Sequence, residues 1–212
     1  MKDYNQEYFY MYAKGVNFPR LNFTGSQPIK DSQLFYSEDP ISNNRTIPLM
    51  FAPPVLSKPQ LADVHHVSST LAISEKLKSH LDQLGLKKVQ FIPASIQDYS
   101  DDIHNDYYLI HIYNLVRCAD LEKSEWRPVR RDPSRVLSFD KLILDNKSLD
   151  TIPLEDRLVI ALEEQNLDKI YHRSIVDHIL KIRPTGVTFY PLAGFTGNEP
   201  FEDEFLEYIE SE

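Results

Sequence analysis

Between Ile73 and Pro191 the chain carries one hydrophobic pattern twice. ISEKLKSHLDQLGLKKVQFIP, residues 73–93, aligns with YHRSIVDHILKIRPTGVTFYP, residues 171–191, at a constant offset of 98 and without gaps. Leu77, Leu81 and Leu84 fall opposite Ile175, Ile179 and Ile182, an i, i+4, i+7 stripe that predicts an amphipathic helix in each copy. His80 falls opposite His178, one residue before the stripe, a place for packing or boundary roles rather than metal ligation. After Gly85 in one copy, and Pro184 and Gly186 in the other, Val89 and Phe91 match Val187 and Phe189. These alternate as a half-buried strand does, and each strand ends at a proline, Pro93 or Pro191. Two copies are too few for a solenoid and predict a pseudo-symmetric pair sharing one core.

Between the copies, Tyr107 to Val116 and Val136 to Leu144 are rich in aromatic and branched residues and predict sheet strands, with Leu158 to Glu164 a further candidate. Arg117 to Arg135, containing Trp126, Pro128 and Pro133, predicts a loop, as does the polar stretch with Asp98, Asp101, Asp102 and Asp106. The first sixty residues hold seven of the fourteen prolines and exclude long helices. Tyr4 to Ala13, Gln33 to Tyr36 and Ile47 to Ala52 are its extended candidates. The expected fold is α+β, with a mixed or antiparallel sheet, two pseudo-repeated helix-strand units and a proline-rich N-terminal segment. Its expected divisions are that segment, 1–63, packed on an α+β domain, 64–198, followed by an acidic amphipathic helix, 199–212.

Charge sharpens the picture of the tail. Of a net charge of −9, with 32 acidic against 23 basic residues, seven acids lie in the last fourteen positions, with no Lys or Arg among them. Phe201, Phe205, Leu206, Tyr208 and Ile209 recur there near helical spacing, which sets one apolar stripe against an acidic face. That face is either solvated surface or a partner contact, and its acids Glu202, Asp203, Glu204, Glu207 and Glu210 are partner-binding candidates. So are Asp98, Asp101 and Asp102, and Trp126 with Arg127, because Trp and Arg are enriched among binding hot spots. Trp126 as a lid over the core is the alternative.

The same balance disfavours direct nucleic-acid binding, which needs clustered Lys and Arg, and favours a basic partner. No segment approaches the roughly eighteen apolar residues of a membrane span, and the lone Cys118 suits a reducing cytoplasm. There is no G-x-G-x-x-G, G-x-x-x-x-G-K, G-x-S-x-G or H-E-x-x-H. The seven histidines, the His65-His66 pair included, lack ligand spacing, and the Asp cluster lacks the glycine and final Glu of a calcium loop. No cofactor, metal or catalytic residue is expected. An enzyme with a non-local site around His111, Cys118 and Asp120 is one alternative, and a regulatory interaction module is another.

The segments LAISEKLKSHLDQLGLKKVQFIPASI, YYLIHIYNLVRCADLEKSEW, FDKLILD and IYHRSIVDHILKIRPTGVTFYPLAGF, in this order, resemble the myxococcal-type immunity proteins of bacterial polymorphic toxin systems. Thr185, Gly186, Val187, Phe189, Pro191 and Leu192 follow that family's second helix-to-strand motif. Tyr107, Tyr108, Asn114 and Asp120 follow its Tyr-rich strand, with His111 where an Asn is common. The resemblance spans about residues 64–195. It implies a cytoplasmic antidote that binds and neutralises a cognate toxin domain, a nuclease being one candidate, by stoichiometric occlusion. A homodimer is left open.

Overall fold

The computed structural model describes residues 3–14, 20–24, 38–42, 45–52, 60–68, 70–197 and 199. A 3-10 turn at Tyr4–Gln6 leads into β1 (Tyr8–Ala13), followed by β2 (Leu21–Phe23), β3 (Ile47–Phe51), β4 (Val64–Val67) and β5 (Thr70–Ser74). Helix α1 (Glu75–Asp82) precedes β6 (Val89–Gln97), β7 (Ile103–Ile112), β8 (Leu115–Val116), β9 (Glu125–Val129) and β10 (Asp132–Lys141). Helix α2 (Asn146–Asp150), β11 (Val159–Leu162), β12 (Lys169–His172), α3 (Arg173–Leu180) and β13 (Val187–Pro191) complete the order.

Six strands close a barrel in the order β2-β3-β6-β7-β5-β4. Most pairs are antiparallel, but β3 runs parallel to β6, and β2 closes the barrel parallel to β4 through Leu21 and Val67. On β3 the pattern is plain: Ile47, Leu49 and Phe51 are buried, while Pro48 is half-buried and Met50 exposed. With Ile92, Ile96 and Leu109 they fill the barrel interior. A second, five-stranded sheet has the order β13-β1-β12-β11-β8 and is mixed, because β8 joins β11 in parallel.

That sheet is buried on both faces, and period-two alternation sorts its side chains. Phe9, Met11, Val159, Ala161 and Tyr171 face the barrel and the two long helices. Tyr8, Tyr10, Ile160, Leu162 and Ile170 face a cover made by Leu142, Leu144, Leu149 and Leu192. The chain crosses from barrel to sheet at Asn114, whose amide donates to the Asp156 and Val159 carbonyls, both at 2.9 Å. Its own carbonyl accepts from Ala161 N at 3.0 Å. This splits the stretch expected to be one strand from Tyr107 to Val116 into β7 and β8.

The two long helices each grow directly out of a strand. Ser74 caps α1 by accepting from Leu77 N, and His172 caps α3 by accepting from Ser174 N. Leu77 and Leu81 are buried on α1, and Ile175, Val176 and Ile179 on α3, while Leu84 and Ile182 pack partly buried beyond the helix ends. The helix pair begins 98 residues apart, at Glu75 and Arg173, as do β6 and β13, at Val89 and Val187. Their surroundings differ: β6 is a nine-residue barrel strand with a partner on each side, and β13 is a five-residue edge strand on β1.

The imidazoles of His80 and His178 stack at 3.9 Å between the helices. His80 Nε2 donates to the His178 carbonyl at 2.8 Å, and His178 Nε2 to the His80 carbonyl at 3.3 Å. Carbonyls in a helix's last turn lack partners of their own, so the two ends satisfy each other.

Two loop expectations are corrected. Asp106 lies within β7, which starts at Ile103, because Ile103 and His104 pair with Gln97 and Ile96 and an outward barrel face accepts polar residues. The loop expected from Arg117 to Arg135 holds β9 and the start of β10, with Pro128 and Pro133 inside these strands, while the rest of β10 falls in the strand expected from Val136. A two-stranded ribbon leaves the outer N–H side of each strand unused, so proline fits there. Gln33 to Tyr36 lies outside the described residues.

Asp63, beside β4, ties three parts together. Its carboxylate accepts from Ser74 Oγ at 2.7 Å, Thr185 N at 2.9 Å and Lys76 Nζ at 3.2 Å. Burial alone would raise its pKa, but the Thr185, Ser74 and Lys76 contacts outweigh it and hold the carboxyl below its ordinary value.

Leu81→Ala or Ile179→Ala should cost roughly 2–5 kcal/mol and Lys78→Ala well under 1, read from urea denaturation; near-equal midpoints would refute the packing described. Asp63→Asn should cost about 1.5–3 kcal/mol at pH 7. A depressed carboxyl pKa stabilises fully above the unfolded value, about 3.9, and the benefit is lost as pH falls through the lower folded value. The gap between wild type and Asp63→Asn should therefore be constant from pH 7 to 5 and shrink below about pH 4.

Candidate functional site

Strand register lays out one solvent-facing row on the barrel. Asn22 pairs with Met50, Met50 with Gln97, and Gln97 with Ile103, so the four side chains share a face opposite the buried Leu49 and Ile96. Met50 is 43% and Ile103 63% exposed. Tyr99, 53% exposed, lies flat against Phe51 with ring centres 5.4 Å apart. This apolar strip borders the Asp98 to Asp102 turn.

Within that turn Asp98 is committed to structure. Its Oδ1 accepts from Ser100 N at 2.8 Å and Asp102 N at 3.0 Å, and Oδ2 lies 3.0 Å from His104 Nε2. The His104 contact, against a smaller opposing effect of desolvation, holds its carboxyl below its ordinary value. Asp101 accepts from Gln97 Nε2 and adopts φ +64°. Asp101 and Asp102 are exposed, so the turn presents negative charge beside Met50, Tyr99 and Ile103. Among the described residues no group of three or more His, Cys, Asp or Glu is placed to hold a metal ion.

Trp126 and Arg127 sit elsewhere, on β9. Trp126 is half-buried opposite Phe139, with its indole N–H donating to the Leu121 carbonyl at 3.2 Å. Arg127 forks onto Asp140 through Nε at 3.0 Å and Nη2 at 2.8 Å, on an exposed surface. Exposed Leu121 and Leu137 flank them. The two candidate patches thus belong to different sheets, and no described hydrogen bond or ion pair joins them. Glu202, Asp203, Glu204, Glu207 and Glu210 lie outside the described residues.

The three residues of the enzymatic alternative do not form a hydrogen-bonded set. His111 is buried, its Nε2 3.1 Å from the Asp39 carbonyl and its ring stacked on Tyr113. Asp120 pairs with Lys123, which lowers its pKa. Cys118 is enclosed with Leu142, Leu144 and Leu149, and burial, reinforced by the Glu164 and Asp145 charges, pushes its thiol well above its ordinary value. A thiol so placed stays protonated.

A cavity of about 290 Å3 lies where the barrel meets the sheet. Its walls combine Tyr10, Met11 and Tyr12 of β1 with Leu71, Ile110 and Ile112 of the barrel. Asp168, Lys169 and His66 line it as well, beside the hydroxyl-bearing Ser68 and Thr70. Burial raises the Asp168 carboxyl to about 6, against the opposing Lys169 charge. Burial likewise lowers Lys169 to about 8, with Asp168 opposing. Lys169 Nζ donates to the Asn166 carbonyl, whereas no described hydrogen bond reaches the Asp168 carboxylate. Among the described residues His66 Nδ1 is buried without a hydrogen-bond partner, and burial, then the Arg20 charge, lowers the ring's pKa against a smaller opposing effect of a hydrogen bond with the Ser68 backbone. Sequence reading passed over this cluster: an Asp-Lys step before the apolar Ile-Tyr-His carries no spacing signal, and only the fold brings His66 to it.

The model of an immunity protein family, Imm11, matches residues 20–149, from just before β2 through α2. The match includes the barrel, the β9–β10 hairpin and both described candidate patches; the repeat copy at 171–191 lies beyond it. No curated protein matches the chain.

Cys118 should resist a thiol reagent such as DTNB at pH 8 in the folded protein and react at once in 6 M guanidinium. Rapid native labelling would overturn the enclosure described.

Proposed function

The chain belongs to the Imm11 immunity protein family, and on that premise we propose that it is the cytoplasmic antidote of a cognate polymorphic toxin, binding it one to one and covering its working face without turnover. The observation that carries this reading is the outward barrel row: Met50, Ile103 and Tyr99 stand exposed beside Asp101 and Asp102. An apolar strip that water must leave, bordered by charges of one sign, suits a basic partner; a nuclease, whose groove must be basic to hold phosphate, is one such toxin. In this reading the barrel strip and Trp126 with Arg127 anchor the complex. The acids Asp98, Asp101, Asp102, Glu202, Asp203, Glu204, Glu207 and Glu210 steer it.

We also read the two strand-helix-strand units as copies of one unit, on the shared spacing of their elements; superposing 73–93 on 171–191 tests this, and opposed strand faces would refute it.

The direct test is co-expression with the toxin domain encoded beside this gene. Growth should be rescued and a stable complex recovered, and a folded protein that neither rescues nor binds would sink the proposal. In stopped-flow binding, neutralising Asp101, Asp102 and the tail acids together should slow association and flatten its salt dependence, because charges at a rim act over about 8 Å at physiological salt. Met50→Ala with Ile103→Ala, or Trp126→Ala, should speed dissociation by about tenfold or more. Unchanged association in the acid variant would remove steering, and unchanged dissociation would remove the corresponding anchor.

A further inference from the structure

The cavity between barrel and sheet has the marks of a ligand site rather than a packing fault. Faults in cores are apolar and lined by side chains that lack only dispersion partners. This one holds a carboxylate, an ammonium and an imidazole nitrogen whose hydrogen-bonding capacity the protein leaves partly unused. Its volume, about 290 Å3, is at the small end of ligand pockets, which run about 300–1,000 Å3.

The charges narrow the ligand's chemistry. Asp168 and Lys169 are adjacent in sequence, both line the cavity and each feels the other's charge, yet among the described residues no hydrogen bond or close ion pair joins their side chains. A singly charged ligand would pair with one and weaken the compensation that the two now give each other, leaving the other charge in a low dielectric. A ligand carrying both charges compensates both. Of the remaining walls, Met11, Leu71, Ile110, Ile112 and Leu167 are apolar and suit a hydrocarbon body, with the tyrosines, Ser68 and Thr70 beside them.

We propose that this cavity binds a compact zwitterion with an apolar body, the chemistry of a free hydrophobic amino acid, its ammonium on Asp168 and its carboxylate on Lys169. The site is formed by β1, the β4–β5 hairpin, β7 and the start of β12, so an occupant would bridge barrel and sheet. It draws on none of the residues assigned to toxin binding.

Calorimetric titration of the full chain with L-leucine, isoamylamine and 4-methylpentanoate tests this, since the last two are leucine without its carboxylate and without its ammonium. Leucine should bind at least tenfold more tightly than either. Asp168→Asn should abolish the preference for leucine over 4-methylpentanoate, and Lys169→Met the preference over isoamylamine. Equal binding of all three by the wild type, or variants that keep both preferences, would overturn the proposal. So would the absence of binding by leucine, methionine and phenylalanine. The wild-type series decides the matter even where a variant fails to fold.

Discussion

The apolar layer between the barrel and the five-stranded sheet is the constraint on which the rest of the structure depends. Phe9, Met11, Val159 and Tyr171 from the sheet meet Leu71, Ile73, Ile110 and Ile112 from the barrel, with Leu77, Leu81, Ile175 and Ile179 of the two helices in the same cluster. Each such side chain contributes about 1.5–3 kcal/mol when fully buried. Neither unit could expose this face alone without presenting a large hydrophobic patch to water. Because β1 comes from the N-terminus and α3 from near the other end of the described chain, forming the layer requires contacts across most of the sequence.

A layer held by dispersion and burial alone would be free to slide, since hydrophobic contact has no preferred direction. Polar contacts supply the direction. Asp63 joins the start of α1 to Thr185, just before β13, and so pins a barrel corner to the sheet's edge. The His80–His178 pair fixes how far one helix end passes the other, because each ring reaches the partner helix's carbonyl. Asn114 sets the point at which the chain leaves one sheet for the other.

Parts of this were legible in the sequence and parts were not, for physical reasons. The helices were legible because a 3.6-residue period in Leu77, Leu81, Ile175 and Ile179 reports a local geometry. Strands β1, β3 and β11 were legible from aromatic and branched residues. Barrel closure was not, since the parallel pairings of β3 with β6 and of β2 with β4 join segments whose residues say nothing of each other. Strand β9 and the first residues of β10 were misread because Pro128 and Pro133 signal breaks in any strand except the edge strands that both prove to be, whereas β10 from Val136 was legible. Of the candidate site, Trp126 and the Asp98 turn were found from residue type and local charge. Met50 was not singled out, as its exposure follows only from knowing which side of β3 faces the barrel interior. The cavity was invisible for the same reason: His66 and Asp168 are about a hundred residues apart in sequence.

The division of labour that results bears on how such a protein can change. Residues that hold the molecule together are enclosed, whereas Met50, Ile103, Trp126 and Arg127 stand on outward faces of strands whose inward neighbours keep the fold. Exposed substitutions of this kind ordinarily shift stability by no more than about half a kcal/mol. A one-residue slip of register would exchange the two sets, so the barrel's buried row protects the position of its exposed row. In the occluding role proposed for this chain, the contact surface must be held in shape more than any single chemical group must be supplied. A closed barrel locked to a doubly buried sheet provides that, while leaving the outer row free to follow the partner it must fit.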